Sequence, residues 1–362
     1  MVVVLADDLS GAAELAGAAV RRGLSAEVQD HFSPATAAEV VCVDTDTRSR
    51  SSREAAETCA REAERVAAGR SAWIYKKCDS VLRGHVAQEA RASARASGAT
   101  EIVVLPANPS RRRVIRGGRY FVDGVPLDQT VFAQDPEFPR LTAEIRRLLG
   151  DDLAGIRTFD AESAADVSAI ARSLPAHALP VGALDFFEAI LTCRFGPATA
   201  AGAAGPAAFP AHPERSTGAS LLVCGSAASW ESRVQAAADR GIPVAAVPHE
   251  IEWILANVRR RGQVLLGIGR APETHGAPPE ALCSTLARTA AAVVRAEPVR
   301  YLLLEGGATA KAVARALGWS RLTACAVAPA GVGVFVPAGQ ARPLIYIKPG
   351  SYPWPPEIWP AR

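Results

Sequence analysis

Several features are missing from this 362-residue chain, and each absence closes off a class of function. No apolar run is long enough to span a bilayer, so no membrane partner is expected. Met1 leads straight into an apolar stretch, without the charged start and cleavage site of a secretory leader, so the chain reads as cytoplasmic. Basic residues barely outnumber acidic ones, 40 against 37, and the densest basic cluster is Arg111-Arg112-Arg113. That is no nucleic-acid footprint. The seven cysteines are scattered, odd in number and without a CxxC pair, which suits reduced core thiols. The histidines show no HxxxH or HExxH spacing, so a protein-built zinc site is not expected. Neither GxxxxGK[ST] nor GxGxxG occurs, which removes support for a P-loop or an ordinary dinucleotide fold. There is no internal repeat of fixed period.

What is present is alternation. Hydrophobic residues make up 49%, enough for a core in each of two domains. Strand-like runs at Val2–Ala6, Val40–Val43, Ala72–Tyr75, Glu101–Leu105 and Leu179–Val181 are separated by helical stretches such as Ser52–Ala68 and Val86–Ser97. A second series follows at Leu221–Cys224, Ile242–Val247, Gln263–Ile268 and Arg300–Leu304, with helices at Ser229–Arg240 and Pro279–Ala296. Between the series lies a Gly-, Ala- and Pro-rich run that reads as a linker. The expectation is an α/β protein of two domains, each a largely parallel sheet with helices on both faces. The segments are 1–195, a linker at 196–220, and 221–362.

Polar clusters fall at strand ends. Asp7, Asp8, Ser10 and Gly11 follow the first strand, ahead of helix-forming AAELAGAAVRR. One aspartate is enough to cap that helix, so the second asks for another role. Asp46 and Arg48 follow the second run, Lys77, Asp79, Ser80 and Arg83 the third, and Asn108 the fourth. In parallel strands these turns share the carboxyl rim of the sheet, where α/β proteins bind ligands. Asp8, Asp46, Arg48, Lys77, Asp79 and Arg83 are therefore expected in one cleft, with Asp7, Ser10, Ser80 and Asn108 as further substrate-binding candidates. Arg and Lys suit a carboxylate, while Asp and Ser suit hydroxyls, so a small polyhydroxy acid fits. A surface salt-bridge network would explain one such cluster, though less readily several in register. In the second half, Val223-Cys224-Gly225-Ser226 and Glu305-Gly306-Gly307-Ala308-Thr309 place small residues at strand-to-helix turns. Free amides and the helix dipole there favour phosphate. Lys348-Pro349-Gly350 is either a third such turn or a bend.

Together the motifs resemble one family, the four-carbon acid sugar kinases, formerly a domain of unknown function. The resemblance rests on ADDLSGA, VDTDTRS, YKKCDSVLRGHV, the stretch from Gly117 to Pro139, and the later GGATA and KPG turns. It implies ATP- and Mg²⁺-dependent phosphorylation of a hydroxyl on a tetronate-type acid such as threonate, erythronate or a 3-oxo-tetronate. It also implies an N-terminal acid-sugar domain, a C-terminal nucleotide domain and an active site in the cleft between them, closed by domain movement. Carried over, Asp8, Arg48, Lys77, Asp79 and Arg83 fall in the substrate site. Ser226, Gly306, Gly307, Ala308, Thr309 and Gly350 fall in the ATP site. Asp8 is expected to take or orient the hydroxyl proton, with Asp79 as the alternative catalytic carboxylate, and no metal ligand is assigned. Ser10 replaces the usual threonine, Asn108 stands where an apolar residue is common, Ala227-Ala228 displaces a serine, and Ser351-Tyr352-Pro353 replaces a glycine-aromatic-glycine ending. Two other classes are weighed: an acid-sugar sensor with a degenerate ATP site, and an NAD(P)-dependent hydroxy-acid dehydrogenase. A homodimer is left open.

Overall fold

Val2–Ala6 (β1) is buried at every residue, as a parallel strand covered on both faces must be. The computed structural model describes residues 1–69, 72–135, 137–150, 153–197, 218–269, 278–329, 331–350, 354, 355 and 358. Most of the run expected as a linker, 198–217, and the Ser351-Tyr352-Pro353 departure lie outside the described residues. The chain divides into two compact units, Met1–Gly202 and Ala203–Arg362.

In the first unit, Asp8 accepts a hydrogen bond from the Gly11 amide and caps α1 (Leu9–Arg21). The helix thus begins three residues before the Ala12 expected from composition. β2 (Ala26–Gln29) and β3 (Val40–Asp44) lead to α2 (Ser52–Ala68), where Ser51 and Glu54 form a capping box that fixes the predicted start. β4 (Trp73–Lys77), α3 (Val86–Ser97) and β5 (Glu101–Leu105) follow. β6 (Arg113–Arg116), β7 (Arg119–Val122) and β8 (Val125–Pro126) form a separate antiparallel sheet that alternation alone does not predict. α4 (Ile145–Leu149), β9 (Ile156–Thr158), α5 (Ala164–Arg172), β10 (Ala178–Gly182) and α6 (Leu184–Phe195) complete the unit.

The main sheet runs β2-β3-β1-β4-β10-β5-β9, with every pair parallel. α1 turns from β1 back over β3 and β2 and packs with α6; α2 and α3 pack together elsewhere on the sheet. The connection after β1 heads one way along the sheet and that after β4 the other, so the strand order reverses between them. That is the position at which α/β sheets open a crevice. Register places Ala6 beside both Asp44 and Lys77, so the turns after β1, β3 and β4 emerge side by side.

In the second unit, β11 (Ala219–Cys224) leads to α7 (Ala227–Ala238), which starts two residues before the predicted Ser229. β12 (Val244–Ala246), α8 (Ile251–Arg261), β13 (Gln263–Gly267), α9 (Pro279–Ala296), β14 (Val299–Glu305) and α10 (Gly307–Leu317) continue the alternation. β15 (Arg321–Ala324), β16 (Gly333–Pro337) and β17 (Leu344–Lys348) close it. The order is β12-β13-β11-β14-β17-β16-β15; the first five strands pair in parallel, and β16 runs antiparallel to both its neighbours, β17 and β15. Its core packs Trp230 and Ala237 of α7 with Leu222, Leu265, Tyr301, Leu303, Tyr346 and Trp354. Among the described residues no helix is long and apolar enough to cross a membrane.

Candidate functional site

The adjacent ends of β1, β3 and β4 bring charge together. Arg48 donates from Nε to Asp7 Oδ2 at 2.7 Å and from Nη1 to Asp8 Oδ2 at 2.9 Å. Its Nη2 lies 3.9 Å from Asp79 Oδ1. Asp8 Oδ2 also accepts from the Ser10 hydroxyl at 2.6 Å. Asp8 is therefore both the helix cap and an ion-pair partner, and Asp7 supplies the second carboxylate for the same guanidinium. Asp79 takes Arg83 bidentately, at 2.8 Å and 3.1 Å, and accepts the Val81 and Arg83 amides. These bonds fold the turn after β4, where Leu82 adopts a left-handed backbone with φ 61°. Lys77 Nζ donates to the Cys78 carbonyl at 2.8 Å and lies 3.6 Å from Glu14 Oε2.

Burial pushes the Asp8 carboxyl up, but Arg48, the Ser10 hydroxyl, Lys77 and the Gly11 amide outweigh it and hold it below the usual carboxylate range. Asp79 is likewise burdened by burial and pulled well below that range by Arg83 and Arg48. Burial disfavours the Arg48 cation, yet three carboxylates keep it firmly charged. Asp8, Asp79, Arg48 and Arg83 are thus ionised at neutral pH, with fixed positive and negative groups at known places.

Of the residues singled out from sequence, Asp7, Asp8, Ser10, Arg48, Lys77, Asp79 and Arg83 meet here. Asp46 does not join them: its backbone turns left-handed at φ 51° and its carboxylate pairs with Arg50 at 3.4 Å. The Ser80 hydroxyl accepts from Arg113, and its carbonyl accepts from the Tyr120 hydroxyl. Asn108 is buried two strands from β4, where its Oδ1 accepts the Asp185 amide. Asn108 Nδ2, Asp7 Oδ1 and Glu14 Oε1 have no hydrogen-bond partner among the described residues. Three participants were not singled out. Glu14 looks like an ordinary helix surface residue until α1 is seen to be buried nearly all round. Asp135 accepts from Arg83 at 3.2 Å, and Arg140 donates to the Leu82 carbonyl at 2.8 Å. The stretch from Gly117 to Pro139 was a motif without a role, and Asp135 within it now has one.

The second unit gathers its candidates at three turns. Gly306 caps α10 with φ 99°, a backbone that favours glycine, and no side chain caps the helix. Gly307, Ala308 and Thr309 are the first three residues of α10, whose amides have no intrahelical acceptor. A Cβ on Gly225 would overlap the Thr309 side chain, so the β11 turn can approach α10 only as glycine. A Cβ on Gly350 would lie 3.6 Å from Ser226 Oγ and 3.8 Å from Gly306 Cα. The Ser226 hydroxyl donates to Ser229 Oγ at 3.2 Å, and Ser229 Oγ to the Gly350 carbonyl at 3.3 Å. Ser229, which follows Ala227-Ala228, thus links the Ser226 turn to the Gly350 turn. The result is a glycine-lined cradle at a helix N-terminus, chemically suited to phosphate. Among the described residues no group of three or more His, Cys, Asp or Glu is arranged to hold a metal.

A family model described as a sugar-binding N-terminal domain matches residues 2–183. A 3-oxo-tetronate kinase of Methylobacterium radiotolerans is 30% identical over 415 aligned positions, covering 96% of this chain and 95% of that protein. A D-threonate kinase of Salmonella typhimurium is 31% identical over 158 residues, 41% of this chain but only 36% of that protein. One of Cupriavidus necator is 40% identical over 134 residues, 35% of this chain and 31% of that protein. The match thus spans about a third of the length of these D-threonate kinases. Among solved structures, a DUF1537 protein of Haemophilus influenzae superposes with a TM-score of 0.70 at 17% identity, over 97% of each chain. A DUF1537 domain of Bordetella bronchiseptica, solved with bound citrate as a domain-swapped dimer, gives 0.50 at 26% identity, over 97% of this chain and 95% of that one. The chain belongs to the four-carbon acid sugar kinase family, whose first half carries the sugar-binding N-terminal domain.

Proposed function

We propose that this protein is an ATP-dependent kinase that phosphorylates a hydroxyl of a small, four-carbon-type sugar acid. The observation that carries the reading is the state of Asp8. Its carboxylate is held ionised and accepts three hydrogen bonds, from Gly11, Ser10 and Arg48. An ionised carboxylate offers about four acceptor sites, so one remains for a substrate hydroxyl. Phosphoryl transfer asks mainly for positioning and charge stabilisation, so an orienting carboxylate with low proton affinity is adequate. Asp8 would align the hydroxyl and receive its proton as the oxygen bonds to phosphorus and the bond to the departing ADP breaks. Lys77 and Arg83 would bind the substrate carboxylate or the transferring phosphoryl group, and Arg48 would hold both Asp7 and Asp8 in place. Asp79 would act by fixing Arg83 and its turn.

In the second unit, the Gly307, Ala308 and Thr309 amides, the Ser226 hydroxyl and the Gly350 turn would hold the phosphates of ATP. Mg²⁺ accompanying the nucleotide would neutralise phosphate charge. The names of the relatives support the substrate class, and the Methylobacterium relative supports it over nearly the whole chain. The test is a coupled ADP-release assay with both enantiomers of threonate and erythronate and with 3-oxo-tetronates. Turnover on at least one acid, on the order of 1–100 s⁻¹, is expected. No acid-dependent ADP release from any of them overturns the reading, and absence of ATP·Mg²⁺ binding by calorimetry would turn it toward a sensor.

A further inference from the structure

Glu305, the last residue of β14, is buried directly beneath the glycine cradle and touches none of the residues proposed to meet phosphate through its own side chain. Its Oε1 lies 2.9 Å from Lys348 Nζ at the end of β17. Its Oε2 accepts from Arg233 Nε of α7 at 2.9 Å and from Trp354 Nε1 at 2.9 Å. Each partner belongs to an element that carries part of the cradle. Arg233 sits on α7, the helix that Ser226 caps. Lys348 accepts the Gly306 amide on its own carbonyl at 3.0 Å, and its ammonium donates to the Pro349 carbonyl at 3.0 Å, one residue before Gly350. Glu305 itself precedes Gly306 and accepts the Gly225 amide on its carbonyl.

Resting on the kinase reading above, we infer that Glu305 is a positioning residue for the nucleotide: through Arg233 and Lys348 it locks three separate turns into one phosphate cradle. Burial lowers the Lys348 ammonium to about 8 against the pull of Glu305, so near pH 7 two cations against one carboxylate leave these three groups with one net positive charge, of the sign a phosphate chain requires. A buried carboxylate with three side-chain partners from three segments also has little freedom to move, which is what a preorganised anion site needs.

The test is calorimetry and steady-state kinetics on the full chain with Glu305→Gln, Arg233→Gln and Arg233→Lys, using ATP·Mg²⁺ and D-threonate or whichever acid the ADP-release assay identifies. Glu305→Gln should weaken ATP affinity and raise the ATP KM at least tenfold, with the acid KM within twofold of wild type. Arg233 is the most peripheral of the three, so Arg233→Gln serves should Glu305→Gln fail to fold; it should show the same split, with partial rescue in Arg233→Lys. If the folded variants bind ATP within twofold of wild type, the positioning role is wrong while the kinase reading stands. If ATP and acid affinities fall together, the cluster is general fold support and the inference fails. If wild type binds no ATP, the kinase reading falls and takes the inference with it.

Discussion

Replacing Asp8 with asparagine isolates its charge from its capping role. Asparagine caps helices about as well as aspartate, so α1 should keep its start. The two faces of the carboxylate then come into conflict. Oδ1 serves the Gly11 amide, whereas Oδ2 serves Ser10 and the Arg48 guanidinium. If the amide oxygen stays on Gly11, its NH₂ group faces Arg48, and two donors oppose each other. If it flips, the cap is lost. In the first case the bond to the Arg48 cation goes, worth about 1.5–3 kcal/mol, and in the second the cap goes, worth about 0.5–2 kcal/mol. Arg48 keeps Asp7 at 2.7 Å, so the lower end applies. At roughly 2–4 °C per kcal/mol for a unit of this size, the melting temperature should fall by several degrees. Turnover should fall much further. Loss of a positioned proton acceptor costs about 100- to 10,000-fold. The assay is coupled ADP release at saturating acid, with ATP affinity checked by calorimetry and expected unchanged. A kcat within threefold of wild type would refute the role given to Asp8.

Lys76 and Glu89 form an ion pair at 2.7 Å with side chains 1% and 2% exposed, and Lys76 also donates to the Leu5 and Lys77 carbonyls. Lys76→Met alone should cost about 3–5 kcal/mol, read as a large drop in thermal melting, whereas adding Glu89→Leu should recover most of it. A single variant as stable as wild type would show that the pair is solvated. Asp8 and Asp79 are both held below the ordinary carboxylate range, so their stabilising contribution is present above the unfolded value near 3.9 and is lost as pH falls through the folded values. The melting temperature of the Asp79→Asn variant should therefore converge on that of wild type only below about pH 4. Convergence near pH 6 would contradict the assignment. Burial pushes the thiols of Cys59, Cys78 and Cys224 up to about 12, while Cys193 is exposed. A disulfide reagent at pH 8 should modify Cys193 fast in the native protein and those three only on unfolding, as peptide mapping would show.

Elements that satisfy themselves locally could be read directly from the chain. Glu101–Leu105, Ser52–Ala68, Val86–Ser97 and Pro279–Ala296 have the same bounds in sequence and structure. Each is marked by an apolar run, a capping residue or a closing Gly within a few positions. The start of α1 was missed because the helix formers begin only at Ala12, whereas the Asp8 cap carries the helix through the weaker formers Ser10 and Gly11. The strands of the small antiparallel sheet are only two to four residues long, too short for a period to show.

The sequence by itself determined that polar residues would follow apolar strands, and so which groups could share a rim. Their pairing was decided by tertiary structure. Arg48 reaches Asp7 and Asp8 across about forty residues, Arg83 reaches Asp135 across 52, and Arg233 reaches Glu305 across 72. Strand order and register set those meetings, and neither is written in any local pattern. Asp46 has the same local credentials as Asp8, yet one left-handed turn sends it to Arg50. Hydrophobic periodicity fixes what is buried; where a buried charge finds its counter-charge depends on which strands become neighbours.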